Sequence, residues 1–184
     1  MVKATPHIKY SVADYLSLPE SEAMRVELLG GDLDMTPGPS PYHQQIARNL
    51  GHALWAFVRD NGQGEVLFAP VDVILSEADV AQPDLLFIAA RRRGIIRQDA
   101  IHGAPDLVVE ILSPATAERD RSYKRTLYAR AGVREYWLVD PESHAVEVLV
   151  LGGKGFRKKA HYARDETLES PLLKRLSVPL REVF

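Results

Sequence analysis

The stretch Pro105-Asp-Leu-Val-Val-Glu110-Ile-Leu112 decides the fold. Its near-continuous apolar character, ended by Pro114, marks a strand covered on both faces, as in sheets flanked by helices. A helix is expected next, from about Ala117 to Ala131, with Gly132 at the C′ position that favours glycine. The apolar pattern then returns in Arg134-Glu-Tyr-Trp-Leu-Val-Asp140 as a second strand. Strand, helix and strand at this spacing predict a right-handed crossover between parallel strands.

Outward from this unit, β patterns occupy Val66-Leu-Phe-Ala69, Val71-Asp-Val-Ile-Leu75 and Pro83-Asp-Leu-Leu-Phe-Ile88, with a basic, irregular segment from Arg91 to Gly103. Further upstream, Ser40-Pro41 is a strong helix start. Ile46, Ala47, Leu50, Ala53, Leu54, Phe57 and Val58 keep a helical rhythm until Asn61-Gly62. Arg25-Val-Glu-Leu-Leu29 and Asp32-Leu-Asp-Met-Thr36 flank Gly30-Gly31 as a hairpin, because a primed turn demands positive φ. Ser11 caps a short helix before Pro19. Downstream, Ala145 to Leu151 and Phe156 to Tyr162 flank a glycine-rich turn, and a proline-broken stretch runs to Phe184. The expectation is one mixed α/β domain over residues 1–184, with an N-terminal arm over 1–10, a central twisted mixed sheet flanked by helices, an N-terminal hairpin and a C-terminal β extension.

The chain of 184 residues is 46% hydrophobic and 26% charged, which is globular composition, and its net charge of −2 advertises no polyanion partner. Zero cysteines exclude disulfides, thiolate zinc sites and a thiol nucleophile. No signal-peptide core and no membrane-length apolar run is present, so the expected location is the cytoplasm. Walker, dinucleotide-fingerprint, nucleophile-elbow and zincin motifs are absent.

Glu110 is the sharpest anomaly, because a carboxylate within a strand buried on both faces costs several kcal/mol unless cations or donors meet it. A structural ion pair with an arginine satisfies that demand; so does a metal. Asp84 opens another apolar strand, where an Asp after Pro is often a turn or capping residue. Two acids on neighbouring strands together make the oxygen-rich half-shell that suits Mg²⁺ or Mn²⁺. On the following helix, Lys124, Leu127, Tyr128 and Ala131 share one stripe, so the lysine faces the core, although such a stem also lies along apolar surface while its ammonium reaches water. His43 falls in the first turn of the long helix, where the helix dipole attracts phosphate; polar capping explains it equally.

Pro83-Asp84, Glu110-Ile-Leu-Ser-Pro-Ala-Thr116 and Asp120-Arg-Ser-Tyr-Lys124-Arg-Thr-Leu-Tyr128, continuing to Tyr136-Trp-Leu-Val-Asp-Pro141, resemble the Uma-type endonuclease family, a branch of the PD-(D/E)XK restriction-endonuclease-like superfamily. The similarity extends over nearly the whole chain, including the Arg25-to-Gly31 hairpin and the Ser40-Pro-Tyr-His-Gln44 helix start. It implies a restriction-endonuclease-like core and Mg²⁺-dependent hydrolysis of DNA. Asp84 matches the motif aspartate and Glu110 the acid of the second half-motif, with the Ile111 carbonyl as a further metal ligand. The sequence departs from the superfamily pattern at Leu112, where a lysine is usual; the resemblance assigns that role to Lys124 on the helix.

Glu27 matches the family's N-terminal glutamate as a further catalytic candidate; an exposed acid on an alternating hairpin is its plain alternative. His43, Gln44, Tyr128 and Arg121 are the substrate-binding candidates, with Asp72 a weaker candidate for the same site. Three basic clusters, around Arg91, Arg119 to Arg130 and Lys154 to Lys159, could track phosphates. Double-strand cleavage with one site per chain favours a homodimer. Two alternatives stay open: a catalytically silent DNA-binding or assembly module that kept the fold, and a metal-independent hydrolase using the carboxylate pair.

Overall fold

Alternation along β8, Leu107–Ile111, sends Leu107, Val109 and Ile111 to one face of its sheet and Val108 and Glu110 to the other. All five residues are buried. The computed structural model describes residues 8–19 and 24–184, so most of the arm expected over 1–10 lies outside the described residues.

β8 runs antiparallel to β6 (Leu85–Ala89) and parallel to β9 (Glu135–Asp140). With β3 (Gly64–Phe68), β10 (Ala145–Gly152) and β11 (Gly155–Ala163) they form a six-stranded mixed sheet ordered β11-β10-β9-β8-β6-β3. The chain between β8 and β9 is helical: α3 (Ala117–Arg119), a π-helical turn (Asp120–Lys124) and α4 (Arg125–Ala131). Gly132 ends it at φ 92°, the left-handed geometry that glycine tolerates.

Helices cover both faces of this sheet. On one, the stripe Ile46, Leu50, Leu54 and Val58 of α2 (Pro41–Asp60) packs with Leu85, Phe87, Leu107 and Val109. The C-terminal pair β12 (Thr167–Glu169) and β13 (Ser177–Pro179) adds Leu168 and Val178 to the same core. On the other, Tyr128 packs with Val108, Tyr136 and Leu138. Because Glu110 shares the face of Val108, it points toward the helix that carries Lys124.

The hairpin is no appendage. β1 (Met24–Leu29) and β2 (Asp32–Pro37), joined through Gly30 and Gly31 at φ 61° and 81°, belong to a second, five-stranded sheet with β5 (Asp79–Ala81), β4 (Val73–Ser76) and β7 (Ile101–His102). The sequence reading missed β5 and β7, whose two or three residues are too few to show a period. The short N-terminal helix, α1 (Val12–Leu16), is capped by Ser11 as expected.

Candidate active site

Four buried acids reach one cleft from different elements. The register that pairs Leu85 with Val109 sets Asp84 and Glu110 across from one another at one end of the six-stranded sheet. Glu27 comes from β1 in the other sheet, and Asp120 from the π turn. Lys124, on the last position of that turn, lies among them: its Nζ is 2.9 Å from Glu27 Oε1, 3.0 Å from Glu110 Oε1 and 3.5 Å from Asp120 Oδ1. The ammonium is 2% exposed, so the solvent-reaching alternative does not hold. A π turn in place of an α turn is common at functional sites.

Each carboxylate has its own partners. Asp84 Oδ1 accepts from Arg25 Nη1 at 2.9 Å and lies 3.3 Å from His43 Nε2, while Oδ2 accepts the Ile111 amide at 2.7 Å. Burial opposes its ionisation, but the His43 contact, Arg25 and the Ile111 amide together hold its carboxyl down at about 2. Glu110 Oε1 accepts the Tyr128 hydroxyl at 2.6 Å as well as the Lys124 ammonium. Burial pushes Glu110 up to about 8, against the pull of Lys124 and helped by the negative charges of Asp120, Asp84 and Glu27. Glu27 Oε1 also accepts the Gln82 amide at 2.6 Å; despite burial, Lys124 and Arg25 keep it below the usual carboxylate range. Burial would lower the Lys124 ammonium, but Glu110, Glu27 and Asp120 outweigh it and hold the group well above the ordinary lysine value. Lys124 is therefore a fixed positive charge at neutral pH.

The cleft of about 390 Å³ is lined by Arg25, Glu27, His43, Asp84, Glu110, Ile111, Arg119, Asp120 and Lys124. Asp84, Glu110, Lys124, Glu27 and His43 are thus brought together from five separate elements. Gln44 lies on the adjoining surface of α2. Three of the expected residues, Tyr128, Arg121 and Asp72, lie off the cleft lining. Tyr128 is fully buried on Glu110 and meets no substrate surface. Arg121 turns away to pair with Asp140 and Glu147, and Arg119 lines the cleft instead, paired with Asp34 and 3.8 Å from Glu27. Asp72 accepts from the Tyr15 hydroxyl and the Gln82 amide group, outside the cleft lining.

Arg25 and Asp120 line the cleft without having been expected there. Arg25 stands two residues from Glu27 on one strand, hence on the same face, and Asp120 stands four before Lys124; both spacings were signals in the sequence.

Among the described residues, no group of three or more acidic or histidine side chains is gathered in ligand geometry. The donor chemistry nevertheless suits a hard cation: the acids offer oxygen only, and burial with three like neighbours leaves Glu110 short of positive charge.

A model of the Uma2 family, described as "Putative restriction endonuclease", matches residues 12–181. An uncharacterized protein of Synechocystis sp., sll1609, is 27% identical over 149 residues, spanning 80% of this chain and 83% of its own. The crystal structure of a protein from Anabaena variabilis, titled a putative nuclease belonging to DUF820, superposes with a TM-score of 0.79 over 95% of this chain and 97% of its own, at 19% identity. That likeness shows the fold: a mixed α/β architecture shared with a protein titled as a nuclease. Among the described residues, no helix is long and apolar enough to cross a membrane.

Proposed function

The chain belongs to the Uma2 family, described as "Putative restriction endonuclease", and from that premise we propose that its cleft hydrolyses phosphodiester bonds of DNA with Mg²⁺ or Mn²⁺ held by Asp84, Glu110 and the Ile111 carbonyl. The observation that carries the reading is the Lys124 ammonium, buried 3.0 Å from Glu110 on the cleft lining. Lysine is absent from its usual superfamily place at Leu112, and the helix supplies one to the same acid.

Hydrolysis forms a P–O bond from water and breaks one ester P–O bond, the water giving up a proton to solvent and the released ester oxygen taking one up, and negative charge builds on the phosphoryl oxygens on the way. Lys124 supplies a permanent cation where that charge grows. Held as an ammonium among Glu27, Glu110 and Asp120, it orients the attacking water and stabilises charge. Glu27 and Asp120 hold its ammonium in place. Arg119, with Asp34 as its tether, reaches the cleft wall where a phosphate would lie. Against burial, the His43 contact and Arg25 keep Asp84 ionised and so ready to bind a cation. A bound divalent ion supplies Lewis acidity and lowers the pKa of a coordinated water. The Lys124 contact argues against a metal-independent carboxylate pair, in which one acid must protonate a leaving group without a fixed cation upon it. With one cleft per chain, double-strand cleavage would use a homodimer.

The test is plasmid nicking by the full chain with Mg²⁺, against EDTA, Glu110→Gln and Lys124→Ala. Cleavage should require metal and fall at least a hundredfold in both variants. Activity that survives both substitutions overturns the assignment; DNA binding with no metal-dependent nicking in the parent chain establishes the silent module instead.

A further inference from the structure

Gln44, Arg48, His52 and Trp55 follow one another along α2 at spacings of four, four and three residues, which places them in a single stripe. This stripe is distinct from the buried one of Ile46, Leu50 and Leu54. It borders a second cavity of about 400 Å³, closed on its other side by Phe68 and Ala69. The cavity shares His43 and Asp84 with the candidate active site, so the two are continuous. From Gln44 to Trp55 it runs about 16 Å along α2.

Its walls are unusual for solvent-facing surface. Trp55 and Phe68 are 40% and 43% exposed. The Arg59 guanidinium lies 4.2 Å from the Trp55 ring centroid, and His52 lies 6.2 Å from it. Phe68 is held there by a specific accommodation: a Cβ on Gly51 would come 2.1 Å from Phe68 Cε1 and 2.7 Å from Cζ. Only a residue without a side chain lets that ring lie on the helix backbone. Two exposed aromatic rings beside Arg48 and His52, opening from the proposed phosphodiester-cleaving site, combine a stacking platform with an arginine that attracts phosphates and an imidazole that can hydrogen-bond them.

We infer that this groove is a subsite for an unstacked nucleobase of the DNA strand adjoining the scissile phosphate, stacked on Trp55 and Phe68, with Arg48 and His52 beside the backbone. The inference rests on the phosphodiesterase reading of the neighbouring cleft and names the form of substrate that cleft takes: a strand with an unpaired base, in preference to a fully stacked duplex. Trp55 and Phe68 line a cavity beside the cleft, and a base must leave its own stack to lie against their rings.

Trp55 also provides the probe, because the other tryptophan, Trp137, is fully buried. The experiment titrates the full chain carrying Glu110→Gln, in EDTA, with a short oligo(dT), an abasic oligomer of equal length, a blunt duplex and free dTMP. Oligo(dT) should quench exposed tryptophan emission saturably, while the abasic strand and the duplex do not. By anisotropy, Trp55→Ala should weaken oligo(dT) binding roughly 5- to 150-fold, and Trp55→Phe should restore most of it. Unchanged Trp137 emission in both variants reports an intact fold. Equal binding of oligo(dT) and abasic strand, or of parent and Trp55→Ala, overturns the subsite; saturation by dTMP at the same concentration as by oligo(dT) overturns its assignment to a strand. Quenching without metal-dependent nicking by the parent chain removes the hydrolytic reading while the subsite stands. Nicking with no role for Trp55 removes the subsite alone.

Discussion

Lys124 Nζ stands 3.0 Å from Glu110 Oε1, and the two side chains are 2% and 3% exposed. The pair is not a balanced one, because Glu27, Asp120 and Asp84 add negative charge around it. The two partners should therefore respond unequally to substitution. Lys124→Ala leaves several buried carboxylates without their shared cation and should cost about 3–5 kcal/mol. Glu110→Gln removes an acid whose ionisation burial opposes, and its amide oxygen can still accept from Tyr128. Urea unfolding should show stability unchanged or raised. A loss in Glu110→Gln equal to that of Lys124→Ala would make Glu110 a structural anchor.

Gly51 gives a packing prediction with a sign that contradicts helix propensity. In an exposed helix Gly→Ala gains about 1 kcal/mol. Here the added Cβ collides with the Phe68 ring, and overpacking of this kind costs about 1–3 kcal/mol. Gly51→Ala should destabilise the protein in the native background and much less when Phe68→Ala is also present, where only Leu85 Cδ2 at 3.0 Å still crowds the added Cβ. A double-mutant cycle by thermal unfolding measures the coupling; additive effects would mean that the ring moves aside at no cost.

Asp79 ties the hairpin turn to the helix. Its carboxylate accepts from the Gly30 amide at 2.8 Å, the Ser76 hydroxyl at 2.6 Å, the Tyr123 hydroxyl at 2.7 Å and Arg130 at 2.9 Å. Although burial opposes it, these donors hold the acid below its ordinary value of 3.8. Between the folded and unfolded values the native state binds fewer protons than the unfolded chain. Stability from Asp79 is therefore complete above the unfolded value and disappears as pH falls through the lower folded one. Asp79→Asn should lose about 1–3 kcal/mol at neutral pH and show a flatter acid limb in denaturant unfolding measured across pH 2 to 6. An acid limb as steep as the parent's would remove Asp79 as its source.

Glu135 anchors the C-terminal segment. It accepts from Trp137 Nε1 and Ser170 Oγ, each at 2.7 Å, and from the Leu172 amide at 2.8 Å. Glu135→Ala strands buried donors, each costing about 1–3 kcal/mol. Faster amide exchange should appear first around Leu172, ahead of global unfolding. Exchange that accelerates uniformly would show that the segment does not open as a separate unit.

Much of the site's framework is local and was therefore legible. Ser40 and Pro41 start α2, and Asn61 closes it. The stripe of Lys124, Leu127 and Tyr128 points Lys124 inward, and its burial agrees. Legibility failed where the helix departed from α geometry. The π turn changes the angular position of residues ahead of Lys124, so Arg119, not Arg121, lines the cleft.

By itself, the sequence determined the helices, the main strands of the six-stranded sheet and the pair of acids that open toward one end of it. Hydrophobic period and capping chemistry act over a few residues, and eight consecutive positions around Glu110 suffice to declare a covered strand. Only the tertiary structure decided which charges meet. Arg25 reaches Asp84 from 59 residues away. Glu27 joins the cleft from a second sheet, and Gly51 admits the Phe68 ring to the helix backbone. Those contacts depend on strand order and on how the two sheets are placed, and neither leaves a periodic trace in the chain. The partners of a buried charge are fixed by which elements pack together, so the sequence could demand a cation for Glu110 but could not choose it without the helix that the sheet face presents.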